Sequence, residues 1–111
     1  MKKQNRIKKN DEIAKIVLNK QKVKSDYFFI YYQKGKNITR VAVSVSKKIG
    51  NSVKRNHAKR IIRELIRPYL NTINPVDIVV VVKKDLYNVN FDQLTRETSR
   101  CLTIINNKIC K

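Results

Sequence analysis

The chain is poor in the residues from which metal and catalytic sites are usually built. Its 111 residues include one histidine, His57, and two cysteines, Cys101 and Cys110. Without a C-x-x-C pair, the sequence holds no zinc ligand set of its own. The cysteines stand nine residues apart, so on one helix they point to opposite faces and cannot be bridged. Free thiols in a reducing compartment are expected. Long apolar runs are missing too: none approaches the ~20 residues of a membrane span. The opening M-K-K-Q-N-R-I-K-K-N lacks the apolar segment of a secretory signal, which predicts a soluble, cytoplasmic protein. Acids are scarce, with 8 Asp and Glu in all. Their spacing shows no dense carboxylate cluster of the kind a two-metal nuclease needs, although folding could still assemble one.

Basic residues dominate instead. Lys and Arg number 26, and the formal net charge is +18 at pH 7. Such a field on so small a chain belongs to proteins that bind nucleic acid or another anionic surface. A chain of this length makes one domain with a modest core, here an RNA-binding domain over 1–111. Its first nine residues form a basic arm, with Lys2, Lys3, Arg6, Lys8 and Lys9 and no acid. That arm reads either as a disordered tail or as a contact to RNA.

The densest charge lies in S-K-K-I-G-N-S-V-K-R-N-H-A-K-R-I-I-R-E, from Ser46 to Glu64. The pattern predicts a loop feeding an amphipathic helix, with Val53, Ala58, Ile61, Ile62, Leu65 and Ile66 toward the core. Arg55, Asn56, Lys59, Arg60, Arg63 and Arg67 form a stripe about 150° wide on the other side. Like charges four residues apart cost a free helix about 0.2 to 0.5 kcal/mol per pair, so an anion should offset the repulsion. Guanidinium forks suit phosphate, and the arginines of the stripe together with Arg40 are read as phosphate ligands.

The remaining chain is expected to mount this helix. Asn10 is placed to cap a short helix to about Asn19, with Asp11 and Glu12 in its first turn. A short strand near 21–24 is possible. Y-F-F-I-Y-Y at 27–32 and the alternation of Val41, Val43 and Val45 predict two antiparallel strands turned by Gly35. Tyr27, Phe29 and Tyr31 share one face and Phe28, Ile30 and Tyr32 the other. One face packs, and the other either packs or stacks unpaired bases. Pro68 ends the basic helix, and V-D-I-V-V-V-V at 76–82 reads as the central strand of a βαβ crossover. Asn90 caps a last helix whose seam is Leu94, Thr98, Cys101, Leu102 and Ile105, with Val89 and Leu94 placed as a staple.

The stretch K-K-I-G-N-S-V-K-R-N-H-A-K-R-I-I-R-E, built around R-N-x-x-K-R-x-x-R, resembles the signature of the protein subunit of bacterial ribonuclease P. The similarity extends from R-I-K-K-N at Arg6 through V-A-V-S-V-S at Val41 and weakens after Pro68. The resemblance implies an α+β, α-β-β-β-α-β-α sandwich like domain 2 of ribosomal protein S5. It also implies a four-stranded mixed sheet and a left-handed βαβ crossover, where general rules favour a right-handed one. It implies a ribonucleoprotein endonuclease in which a catalytic RNA, with bound Mg2+, removes the 5′ leader of precursor tRNA. The protein then has no catalytic residue or metal of its own and is a monomer without RNA. Matched to the catalytic-RNA surface are Lys47, Lys48, Asn51, Arg55, Asn56, Lys59, Arg60 and Arg63. Matched to the leader cleft are Lys9, Asn10, Ile13, Val17 and Tyr31, with Ile13 and Val17 where the family commonly has aromatic rings. The alternative is a structural ribosomal RNA-binding protein of the same fold. His57, at the edge of the basic face, is expected to be structural or to touch phosphate.

Overall fold

In the computed structural model, which describes residues 3–109 and only the backbone of residue 3, the elements follow the expected order. They are α1 (Asn10–Leu18), β1 (Lys22–Lys24), β2 (Phe28–Lys34), β3 (Arg40–Val45), α2 (Ser52–Ile66), β4 (Val76–Val82) and α3 (Phe91–Ile109). The strands form one mixed sheet in the order β1-β2-β4-β3. β2 runs antiparallel to β1 and β4, whereas β3 and β4 are parallel and joined through α2. Lys2 and Cys110 lie outside the described residues.

The valine run decides this topology. β4 is apolar on both faces and is buried along nearly its whole length, so the stable place for it is the middle of the sheet. It therefore inserts between β2 and β3, and the expected β2–β3 hairpin does not form: Tyr32 pairs with Ile78, and Ile78 with Val41. Gly35 serves close approach instead of a hairpin turn. Its N–H donates to the Pro75 carbonyl at 2.9 Å, and a Cβ there would meet Val76 N at 2.8 Å.

Strand alternation divides the molecule into two layers. Phe28, Ile30 and Tyr32 join Val41, Val76, Ile78, Val80 and Val82 in the main core. Over them lie Ala58, Ile62, Leu65 and Ile66 of α2 and Leu94, Cys101, Leu102 and Ile105 of α3. The opposite face is more thinly covered, with Ile7, Ile16, Ala42 and Val79 buried and Ile13, Val17, Tyr31 and Val81 partly so. Ile16 is the one fully buried side chain of α1, an anchor worth about 1.5 to 3 kcal/mol. Tyr27 departs from the expected face: it precedes β2 and packs against the main core.

Three local expectations are corrected or sharpened. Asn10 is the first residue of α1, and the cap position is Lys9, which makes no side-chain capping bond. Val53 is 69% exposed because five residues at 100° carry it about 140° around the helix from Ala58. The last helix follows its reading closely: Asn90 Oδ1 accepts the Asp92 N–H at 2.8 Å, and the buried residues are Leu94, Thr98, Cys101, Leu102 and Ile105.

The basic arm, where described, is tied down along the outer edge of β3. Ile7 N–H donates to the Val41 carbonyl at 3.0 Å, and Asn5 Nδ2 donates to the Thr39 carbonyl at 2.9 Å. The arm thus covers the start of that edge, around Thr39 and Val41.

Candidate RNA-binding surfaces

The loop after β3 aims α2. Ser46 Oγ accepts the Lys48 N–H at 3.2 Å, closing a short 3-10 turn that presents Lys47 and Lys48 to solvent. At Gly50 φ is 151°, a backbone region that side chains disfavour. The chain turns there into the helix. Asn51 then caps α2, its Oδ1 accepting the Lys54 N–H at 3.1 Å. Asn51, matched above to an RNA contact, thus has a structural task as well.

Along α2, folding gathers Asn56, Lys59, Arg60 and Arg63 around one groove, closed by Glu64 and Arg67 and, from the arm, by Arg6. Glu64 is the groove's acid and is paired with Arg67 at 2.9 Å. Among the described residues, Arg6, Lys59, Arg60 and Arg63 form no ion pair. Partial burial lowers the Arg63 pKa from its ordinary value, and the charge of Arg6 lowers it further. A guanidinium that is both desolvated and repelled is one that an anion would stabilise. Arg55 lies nearer the core: its Nη2 donates to Ser52 Oγ at 3.2 Å, while its Nε is buried and has no partner among the described residues. Arg6 at this groove escaped the sequence reading because nothing in the spacing links the arm to α2.

Arg40 is not part of this surface. Its fork grips Asp77, Nε to Oδ1 at 3.0 Å and Nη2 to Oδ2 at 2.9 Å, and its Nη1 reaches Glu12 Oε2 at 3.2 Å. The hydrogen bond to Asp77 is the main cause of its raised pKa, opposed by burial and helped by the charges of Asp77 and Glu12. Phosphate is not needed to explain this arginine. The triad ties α1 to the central strand.

On the opposite face α1 packs against the sheet. Ile13, Val17 and Tyr31 come together around the smaller core cluster, and Lys9 and Asn10 stand exposed where α1 begins. Alternation placed Phe29 on the face of Tyr31, but neither its place among these site residues nor its cations were foreseen. Phe29 meets Tyr31 edge to face at 6.4 Å. Lys83 Nζ sits 4.1 Å and Lys22 Nζ 4.8 Å from the Phe29 ring centre, and Lys22 is also 5.6 Å from that of Tyr31. Phe29 was available from the alternation that pairs it with Tyr31; the lysines come from β1 and the end of β4. Half-buried rings flanked by ammonium groups suit a strand that offers bases and phosphates together.

Among the described residues, no three His, Cys, Asp or Glu side chains gather where a metal ion could be held. Glu12 and Asp77, two carboxylates that folding brings together, are both bonded to Arg40. His57 packs its ring on Tyr87, with centroids 4.7 Å apart. Among the described residues, no helix is long and apolar enough to cross a membrane.

Comparison with known proteins agrees over nearly the whole chain. A profile of the family described as Ribonuclease P matches residues 1–106. The ribonuclease P protein component of Listeria welshimeri is 36% identical over 107 residues, covering 94% of this chain and 90% of that one. The solved structure of the Staphylococcus aureus RNase P protein superposes with a TM-score of 0.80 at 31% identity, covering 91% of this chain and 94% of the other. The RNase P protein from Thermotoga maritima gives 0.79 at 25% identity, covering 89% and 96%. By signature, fold and relatives, this chain belongs to the ribonuclease P protein component family.

Proposed function

We propose that this chain is an RNA-binding subunit that docks on the catalytic RNA of ribonuclease P through α2. In the same reading, the cleft beside α1 holds the single-stranded 5′ leader of precursor tRNA. The observation that carries it is the pair of surfaces on opposite faces of one sheet. A partly desolvated cation groove lies along α2, and a pair of half-buried rings with cations over them lies on the α1 face of the sheet. The arm at the β3 edge serves both: Arg6 lines the groove, and Ile7 packs in the cluster beneath the cleft.

The two surfaces suit different partners. Arg60 and Arg63, with Lys59 and Asn56, offer forks and point charges to phosphates of a structured RNA, where contact geometry positions without reading sequence. Lys47 and Lys48 extend that footprint onto the loop. In the cleft, Phe29 and Tyr31 offer ring faces to unpaired bases, while Lys22 and Lys83 neutralise the strand's phosphates. Lys9 and Asn10 add polar contacts at its mouth. Ile13 and Val17 support a base by apolar contact alone, which predicts a weaker hold on the leader than in relatives with rings there.

Cleavage is assigned to the RNA, where Mg2+ supplies Lewis-acid and nucleophile-activating chemistry when bound. The engagement of His57 with Tyr87 and of Glu12 and Asp77 with Arg40 supports that assignment. The protein's part is to raise affinity for substrate and to screen phosphate charge, so it should matter most when magnesium is low. Reconstitution tests this: the cognate RNA and precursor tRNA at low magnesium should gain leader removal when the protein is added. RNA-free protein should cut nothing. Cleavage by the protein alone, or no effect on the RNA, would overturn the proposal.

A further inference from the structure

We propose that Tyr87, seated on His57, is a stacking platform for one unpaired base of the catalytic RNA, an inference that rests on docking of that RNA along α2. The loop between β4 and α3 is held from both sides. Leu86 is buried in the main core, and the Val89 N–H returns to the Leu86 carbonyl at 3.3 Å. The Tyr87 N–H donates to Asp85 Oδ1 at 3.0 Å, and Asp85 Oδ2 pairs with Lys54 of α2 at 3.5 Å. The backbone is thus pinned to the core and to α2, yet Tyr87 is left 55% exposed. Its ring rests against the His57 imidazole, with planes tilted by 46°.

The platform is continuous with the cation groove. Val53, Asn56, His57 and Arg60 are spaced three and four residues apart and share one side of α2. Asn56 and Arg60 line the groove, while Val53, also exposed, adds apolar surface one turn before His57. Phosphates held by Arg60 would bring their own bases over the Val53–His57–Tyr87 strip. Charge points to nucleic acid, because Asp85 is paired and the adjoining groove is cationic. The base must be unpaired, since only a base outside a duplex stack offers its face to tyrosine or histidine. The catalytic RNA is favoured over the leader because the residues proposed to hold the leader, Ile13, Val17 and Tyr31, pack on the opposite face of the sheet.

Binding of the cognate ribonuclease P RNA transcript, titrated at several salt concentrations, separates this claim from the docking claim beneath it. Tyr87→Ala should weaken binding about 5- to 150-fold with an unchanged salt slope, the signature of lost stacking. Tyr87→Phe should bind within about twofold of the parent, since the ring face remains. Arg60→Ala, a control for docking, should weaken binding and reduce the salt slope by about one. Parent-like affinity for folded Tyr87→Ala beside a weakened Arg60→Ala would overturn the platform and leave docking intact. Parent-like affinity for both would overturn docking, and the platform with it. A Tyr87→Ala defect seen with a leader oligonucleotide but not with the transcript would show that the platform's occupant is misassigned.

Discussion

Removing Arg40 tests how α1, and with it the cleft, is held in place. Asp77 sits in the valine run of the central strand with its side chain only 7% exposed, and Arg40 supplies both of its charge-assisted hydrogen bonds. Arg40→Met leaves that carboxylate buried and unpaired. Exposed pairs are worth about 0 to 1 kcal/mol, whereas breaking a buried pair costs about 3 to 5 kcal/mol. The Arg40 side chain is 31% exposed, so water can partly replace it, and a loss of about 2 to 3 kcal/mol is expected. For a domain of this size that is a fall of about 10 °C in Tm, read by thermal or urea unfolding. Replacing both partners, Arg40→Met with Asp77→Leu, should recover most of the loss because no charge is then left buried. Glu12→Gln, which removes only the outer link to α1, should cost less than 1 kcal/mol. It should nevertheless weaken leader binding and spare binding to the catalytic RNA. A single variant as stable as the parent, or a double variant no better than the single, would refute the argument.

Three other outcomes follow from particular side chains. The hydrogen bond from Arg100, aided by Ser25, holds the Glu97 carboxyl below its ordinary value near 4.5. The stabilisation is therefore full above that value and is lost as pH falls through the lower folded pKa. Glu97→Gln should flatten the acid side of a Tm–pH profile below about pH 5; an unchanged profile would contradict the assignment. Burial pushes the Cys101 thiol pKa up, so in a Cys110→Ser background a thiol reagent should label it only at the rate of unfolding. Rapid labelling of the folded protein would be inconsistent with the core described above. Changing Ile13 and Val17 to Phe should strengthen leader-dependent binding of precursor tRNA, by at most about 1 to 3 kcal/mol per ring. Unchanged affinity would count against stacking in the cleft.

Element order was legible because each period is strong: the valine run, the alternation of Val41, Val43 and Val45, and the helical seam of Leu94, Thr98, Cys101, Leu102 and Ile105. Strand pairing was less so. A short link with Gly35 suggests a hairpin, but a strand apolar on both faces gains more by lying between β2 and β3 than at an edge. The basic groove was half visible, since helix spacing gives Asn56, Lys59, Arg60 and Arg63, while Arg6 reaches it only through pairing of the arm with β3. Arg40 was misread because a guanidinium fork fits a carboxylate as well as a phosphate, and its partner Asp77 lies far away in sequence. In the cleft, the family motif brought Ile13, Val17 and Tyr31, and alternation alone would have added Phe29. The contact of Tyr87 with His57 had no sequence signal, because it depends on how the β4–α3 loop returns to α2.

In the function proposed above, the α2 groove docks RNA through phosphate contacts. The most direct measurement is the salt dependence of binding to the cognate ribonuclease P RNA, for the parent chain and for Arg60→Ala with Arg63→Ala. If the surface meets about 6 to 10 phosphates, parent affinity should fall about 10³- to 10⁵-fold between 50 and 200 mM salt. The folded double variant should bind more weakly, with a slope smaller by about two. A flat salt response from the parent, or an unchanged slope in the folded variant, would contradict the claim.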